Sequence, residues 1–169
     1  MSTSILDIAN RVKDILTDHL APGDEFAPAD DVPSAGYRFR PVTAFRVGKD
    51  IPSEEFASSC PVAYVVALDD DPIDQYTGSQ TMHTLVTVTF IENLLDTDDA
   101  YETVVYYAEV CRDLVFRLYR RWKRSGDSDL GIITTYPGPI HCDTVEAEDL
   151  FLWTGQVSFT VERIALASA

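Results

Sequence analysis

The stretch His141-Cys142-Asp143 holds the side chains that could most readily bind a metal ion, with His83 as a distant further ligand. Imidazole, thiolate and carboxylate groups are common metal ligands. Successive residues of an extended chain point to opposite sides, so that only His141 and Asp143 could share one ion. No CxxC or HxxxH motif completes a coordination sphere. We therefore expect no metal and no cofactor, and we interpret His141 and Cys142 as loop residues.

The densest group of carboxylates lies in the segment DDDPIDQYTGS, at Asp69, Asp70, Asp71 and Asp74. Four carboxylates could hold a cation weakly. The segment lacks the glycine and the closing glutamate of an EF-hand loop. Because like charges repel, a solvated, turn-rich hairpin tip over residues 69–79 is the better interpretation.

Enzyme motifs are missing from the sequence. There is no GxGxxG, P-loop, GxSxG or HExxH pattern. A nucleophilic triad would need a Ser or Cys, a His and an acid to meet in space, which a sequence does not show. We therefore expect that the protein is not an enzyme.

The three cysteines, Cys60, Cys111 and Cys142, cannot all pair within one chain because their number is odd. Reduced thiols are expected for a protein made in the cytoplasm. Cys111 lies on the apolar face of a helix and is predicted to be a core residue. If any cysteines cross-link neighbouring chains, we predict Cys60 and Cys142, which lie in loop-like sequence.

The longest helical pattern runs over residues 98–124. Apolar residues recur there at spacings of three and four, which predicts one buried face. Its C-terminal end carries five of the 13 Lys and Arg residues of the chain. These cations either solvate the helix end, where the helix dipole favours them, or dock an acidic partner. For docking we single out Arg117, Arg120, Arg121 and Arg124.

The remaining patterns predict an α+β fold: a small, mostly antiparallel sheet with an N-terminal helix and the long central helix packed on one face. A helix is predicted over 4–20, strands over 61–68, 81–92, 131–136 and 150–163, and an irregular acidic loop over 137–149. The strands 61–68 and 81–92 should form a hairpin. Gly155 in the last strand indicates a bulge or a close backbone approach.

The segment 22–60 contains five prolines and shows no sustained periodicity. It is too long for a plain connector. We interpret it either as an extended arm that orders against a neighbouring subunit or as a mobile surface loop. Short extended pieces are predicted within 36–47, where Tyr37, Phe39 and Phe45 could pack.

Length and charge set broad limits. The 169 residues, 46% of them hydrophobic, predict one domain with a proper core. The 28 acidic residues give a net charge of −15, which disfavours non-specific binding of nucleic acid. We find neither a signal-peptide pattern nor an apolar run long enough to span a membrane. Assembly in the cytoplasm is therefore expected.

Taken together, the chain resembles the bacteriophage tail-terminator (tail-completion) proteins. The resemblance rests on SILDIANRVKDIL, the hairpin PVAYVVAL…TMHTLVTVTFIE, the helix AYETVVYYAEVCRDLVFRLYRRW and the closing strand LFLWTGQVSFTVERI. It covers most of the chain except residues 22–60, and it is a resemblance of architecture more than of a motif.

The resemblance implies a virion structural protein of the tail or neck. Such proteins form a ring, expected to be a homo-hexamer, that caps the tail tube, ends tail polymerisation and joins the tail to the head connector; in contractile tails they also meet the sheath. Genomic DNA passes through the ring, and an acidic lumen would let it slide. We expect the hairpin tip 69–79 to face the tube or lumen and residues 24–59 to wrap a neighbour.

Two alternatives remain. Another neck component, such as a head-completion or connector protein, would share the ring but dock on the portal side. A small cytoplasmic α+β enzyme or ligand-binding domain would instead use His141 and nearby acids. A fixed oligomer mass favours the ring, whereas a concave pocket with perturbed ionisable groups favours the enzyme.

Overall fold

The fold is α+β, as predicted, with two helices and one five-stranded sheet in the part of the chain that is described. The computed structural model describes residues 4–19, 42, 44–48, 60–76, 79–93, 100–124, 132–147 and 150–166. The helices are α1 (Ile5–His19) and α2 (Ala100–Arg124). The strands are β1 (Ala44–Val47), β2 (Val62–Tyr76), β3 (Ser79–Asn93), β4 (Ile132–Ala147) and β5 (Leu150–Leu166), in the spatial order β1-β2-β3-β5-β4.

Helix α1 begins at a reciprocal cap formed by Ser4 and Asp7. The Asp7 backbone N–H donates to Ser4 Oγ at 3.1 Å, and the Ser4 N–H donates to Asp7 Oδ2 at 2.7 Å. The Asp7 N–H also contacts the Ser4 carbonyl oxygen at 3.1 Å, so the cap and the first backbone bond of the helix are formed by the same two residues. The predicted span 4–20 differs from the observed one by a residue at each end.

The hairpin of β2 and β3 is confirmed, but the predicted loop at 69–79 is wrong. Strand β2 continues to Tyr76 and pairs with β3 down to Tyr76 opposite Ser79. Register shifts between Leu68 and Asp70 and between Pro72 and Asp74 absorb irregularities in this distal half. The composition of this segment favours a turn, but β3 is paired with β5 along its whole length. It therefore offers β2 a continuous row of backbone hydrogen-bonding groups, and the segment is extended.

The predicted loop at 137–149 is also wrong, because β4 runs through it to Ala147. Pro137 and Pro139 lie on an edge strand, where a missing backbone N–H is tolerated. A register shift between Pro137 and Ile140 accommodates them. A Cβ on Gly138, between the two prolines, would lie 2.3 Å from the Ser158 carbonyl oxygen, so this tight crossing needs glycine.

Strand β1 adds a feature that the sequence pattern did not reveal. It pairs parallel to β2, with Ala44 opposite Val62 and Val47 opposite Val65. The extended pieces predicted within 36–47 are confirmed only for this strand. The rest of the predicted arm 22–60 lies outside the described residues, apart from Val42, Gly48 and Cys60.

Both helices pack on one face of the sheet, as predicted. The main core joins α1 and α2 to alternate residues of the strands, and its largest fully buried members are Tyr107, Phe90, Phe159, Ile8, Leu16 and Leu114. The rings of Phe90 and Tyr107 stack with centroids 5.5 Å apart. Side chains alternate along β3, with Val86, Val88 and Phe90 buried and Thr87 and Thr89 on the other face.

Helix α2 approaches β5 closely at Gly155. A Cβ at this position would lie 2.4 Å from the Val104 carbonyl oxygen and 2.8 Å from its carbon. The register of β5 with both neighbouring strands is regular at Gly155. Of the two predicted roles of this glycine, the close backbone approach is therefore correct, and the bulge is not.

Candidate assembly surfaces

The acidic residues Asp69, Asp70, Asp71 and Asp74 lie along the distal half of β2. Their backbone is extended, with Asp70 opposite Thr84 on β3. Their side chains lie outside the described part of the structure. The backbone of these residues therefore follows one strand of the sheet, and their role as assembly contacts stays a prediction.

The basic residues Arg117, Arg120, Arg121 and Arg124 lie in the last turns of α2, which continues to Arg124. The first turn of α2 lies over the start of β5, since Tyr101 contacts Trp153 with ring centroids 4.8 Å apart. The helix spans about 37 Å, so its end lies toward the far end of β5, where β2 and β3 turn. The backbone thus brings the basic and acidic stretches to the same end of the sheet, while their contacts stay predictions.

The three thiols differ in access. Cys60 and Cys111 are buried, whereas Cys142 is partly exposed on the edge strand β4 rather than in a loop. Burial raises the pKa of the Cys111 thiol far above its usual range. Burial and the nearby Glu109 carboxylate also raise the pKa of Cys142. A cross-link between neighbouring chains stays a prediction, and of the predicted pair only Cys142 is accessible on the folded surface.

His141 and Asp143 share one face of β4, as the alternation predicted. They pair with Gln156 and Thr154 across the ladder, and both are exposed. Asp143 Oδ1 accepts a hydrogen bond from the Thr144 backbone N–H at 2.8 Å. Within the described residues, no group of three or more metal-ligating side chains comes together.

The sheet face opposite the helices carries a row of polar side chains across β3 and β5. Thr87 Oγ1 lies 3.2 Å from Ser158 Oγ, and Gln156 Nε2 donates to Thr89 Oγ1 at 3.4 Å. His83 Nε2 lies 3.2 Å from Glu162 Oε2. All of these groups are partly exposed, so this face offers hydrogen-bonding groups to a partner or to water.

An apolar groove lies where α1 begins, next to the end of β1. Its volume is about 370 Å³, and it is lined by Ile5, Leu6, Ala9, Val47, Gly48 and Val65–Leu68. Leu6 is 60% exposed, the largest fraction among the described large apolar side chains. Leu6 and the groove together form an exposed apolar surface at the start of α1.

Two charged residues in the core were missed by the sequence analysis. Glu92 and Arg163 are 0% and 2% exposed on the helix-covered face. Glu92 Oε1 accepts from the Asn93 N–H at 2.9 Å, and Arg163 Nε donates to Thr84 Oγ1 at 3.3 Å. Extending the alternation of β3 and β5 to their ends would have placed both residues on this face. Burying such groups requires hydrogen-bonded partners, which fixes the local geometry.

Comparison with known proteins adds no family. No family model matches the chain, and no curated protein is significantly similar to it. Among the described residues, neither helix combines the length and the apolar character needed to cross a membrane.

Proposed function

We propose that this protein is a virion structural protein of the bacteriophage tail-terminator type, which forms a ring of identical subunits on the end of the tail tube. The observation that carries the proposal is the arrangement of the four segments on which the resemblance rests. The long hairpin and the closing strand belong to one sheet. The leading helix and the central helix both pack on one face of this sheet.

The described surface supports an assembly role. A ring needs two different faces of one subunit that fit each other on its neighbours. The apolar groove at Leu6 lies on the β1–β2 side of the sheet, whereas α2 lies over the β5–β4 side. One subunit therefore carries distinct surfaces on opposite sides, as a head-to-tail contact requires.

The charge of the chain supports the passage of DNA through the ring. With a net charge of −15, most of the surface repels nucleic acid. A ring of such subunits would let DNA pass without retaining it. In this proposal the basic residues at the end of α2 dock an acidic neighbouring subunit or the head connector.

Native mass alone and with purified tail tubes tests the proposal. We expect a ring of fixed mass by light scattering, or a ring that appears only on tube ends by negative-stain imaging. A strict monomer or dimer with no affinity for tubes would refute it. A ring that binds the portal side but not tubes would instead favour the other neck components.

Charge reversal at the helix end tests the basic surface separately. The variant Arg120→Glu/Arg121→Glu should lose ring formation or virion assembly, because it replaces attraction by repulsion at an acidic partner. Arg112→Glu is the control, since Arg112 is a partly exposed cation on the same helix, outside its basic end. Unchanged assembly of the double variant would remove this surface from the proposal.

A further inference from the structure

Aromatic side chains are exposed where α2 begins over the start of β5. Tyr101 and Phe151 are each 45% exposed. The Tyr101 ring contacts the ring of Trp153, with centroids 4.8 Å apart and planes tilted by 58°. Because side chains alternate along a strand, Phe151 lies on the same sheet face as Trp153, about 7 Å away along β5. We call Tyr101, Phe151 and Trp153 the aromatic surface.

Trp153 gives the aromatic surface a fixed base. Its side chain is only partly exposed, and it packs against the main core. The Tyr101 ring lies against it, so two of the three rings are positioned by the fold. Aromatic side chains supply a large contact area and lose little conformational freedom on binding. The aromatic surface is therefore suited to bind another chain.

Carboxylates flank the aromatic surface on the helix and on the edge strand. Glu102 follows Tyr101 in the first turn of α2 and is partly exposed. The exposed Glu146 on β4 pairs with Phe151 across the ladder, which places their Cβ atoms about 5 Å apart on one face. Among the described side chains of α2, the only cation is Arg112, about 16 Å from Tyr101 along the helix axis.

Aromatic rings beside carboxylates specify a cationic partner. A guanidinium group stacks on aromatic faces and pairs with carboxylates, and it does both better than the ammonium group of lysine. An acidic partner would be repelled by Glu102 and Glu146, and a purely apolar partner would leave their charges uncompensated. The occupant of the aromatic surface should therefore present arginines.

We propose that the aromatic surface receives the basic end of α2 of a second copy, with Arg117, Arg120, Arg121 and Arg124. This contact rests on the proposed function and names the acidic surface that the basic residues dock. Five of the 13 Lys and Arg residues lie at this end of the helix, in a chain whose net charge is −15. A contact between opposite ends of one helix is head-to-tail, and its repetition by rotation closes a ring.

The basic end of its own helix does not reach the aromatic surface. Helix α2 is continuous from Ala100 to Arg124. Arg117, the first of the four arginines, lies about 24 Å from Tyr101 along the helix axis. This separation is far greater than the length of an arginine side chain. The contact therefore forms between copies.

A charge swap in the full-length protein tests the contact. Glu146→Arg should raise the dissociation constant between copies at least about tenfold, because it replaces attraction by repulsion. Asp14→Arg is the matched control, since Asp14 is an exposed carboxylate on α1. Combining Glu146→Arg with Arg120→Glu/Arg121→Glu in one chain should restore assembly, whereas combining Asp14→Arg with them should not. Analytical ultracentrifugation measures the dissociation constant, and the occupancy of tube ends measures it where copies assemble only there.

The variant Phe151→Ala tests the aromatic part of the contact. It should raise the same dissociation constant at least about fivefold. Leu85→Ala is the control, because Leu85 is also exposed but lies on the sheet face opposite the helices. The effect of Phe151→Ala should persist in about 0.5 M salt, where exposed charges are screened, whereas the effect of Glu146→Arg should shrink. All of these side chains are exposed, so the variants should fold, and circular dichroism checks that they do.

Equal effects of Glu146→Arg and Asp14→Arg, or a charge swap that restores nothing, would overturn the contact. Protein that stays monomeric both alone and with tubes would overturn it as well. Normal rings of Glu146→Arg and Phe151→Ala that fail only to join heads would assign the aromatic surface to another basic partner, and the contact between copies would be wrong.

The contact and the proposed function fail separately. If Glu146→Arg and Phe151→Ala rings form and cap tubes as the wild type does, the contact is wrong and the function stands. If the charge swap restores rings that ignore tubes, as wild-type rings then also do, the contact stands and the function is wrong.

Discussion

The substitution Gly155→Ala tests whether the contact between α2 and β5 positions the helix layer. The new Cβ would lie 2.4 Å from the Val104 carbonyl oxygen, whereas ordinary contact begins near 3.4 Å. The helix must therefore move away by about 1 Å. The two nearest atoms of Val104 belong to its backbone, so no side-chain rotation relieves the overlap.

The cost follows from the packing of the core. Overpacking costs up to about 3 kcal/mol when the neighbours cannot yield. Replacing a strand glycine by alanine returns about 0.5–1 kcal/mol of backbone entropy. We expect a net loss of about 2 kcal/mol in the free energy of unfolding. For a chain of this length, that loss lowers the Tm by roughly 4–8 °C.

Chemical and thermal denaturation of the purified protein measure this loss. Gly155→Val should be less stable than Gly155→Ala, because its branched side chain meets the same carbonyl. Thr160→Ala on the opposite face of the same strand is the control, and it should change stability by less than about 1 kcal/mol. Adding Val104→Ala should not rescue Gly155→Ala, because the nearest atom is a carbonyl oxygen. Wild-type or higher stability of Gly155→Ala would refute the close approach.

Three further predictions concern the core, the thiols and the first cap. Tyr107→Phe removes the hydroxyl that the Val42 backbone hydrogen-bonds, and it should cost about 1 kcal/mol by urea denaturation; Tyr101→Phe serves as the control, because Tyr101 is 45% exposed, and equal stability of both variants would contradict the prediction. In native protein at pH 8, iodoacetamide should modify Cys142 before Cys60 and Cys111, because the latter two are buried and burial keeps the Cys111 thiol protonated; mass spectrometry with and without guanidinium reads the order, and early modification of Cys111 would show that this core opens. The hydrogen bonds from Ser4 hold the pKa of Asp7 below its usual value, so that Asp7 stabilises the fold above its unfolded pKa and ceases to do so as the pH falls through the lower folded pKa. Asp7→Ala should therefore lower the Tm at pH 7, and the difference from wild type should shrink below about pH 4; a constant difference down to pH 2 would argue against a charged cap.

The order and type of the elements were predictable because they depend on local patterns. The spacing of apolar residues marked both helices, and alternation marked the strands around Val86 and Val157. The same alternation, continued to Glu92 in β3 and to Arg163 in β5, also predicts that these two side chains are buried.

The extents and partners of the strands were not predictable in the same way. Asp69–Asp74 and Pro137–Pro139 have the composition of loops, yet both lie in strands. Hydrogen bonds from β3 and β5, far away in the sequence, hold them there. The parallel pairing of β1 likewise depends on a partner that no local pattern identifies.

The sequence by itself determined the α+β class, the amphipathic faces of α1 and α2 and the acidic charge of the surface, because propensity, periodicity and charge are properties of neighbouring residues. Only the tertiary structure decided that β1 pairs parallel to the first part of β2, from Val62 to Val65. It also decided that Cys60 is buried and that Gly155 lies against Val104. These features depend on which distant segments meet, and that is set by the packing of the whole sheet and its helices.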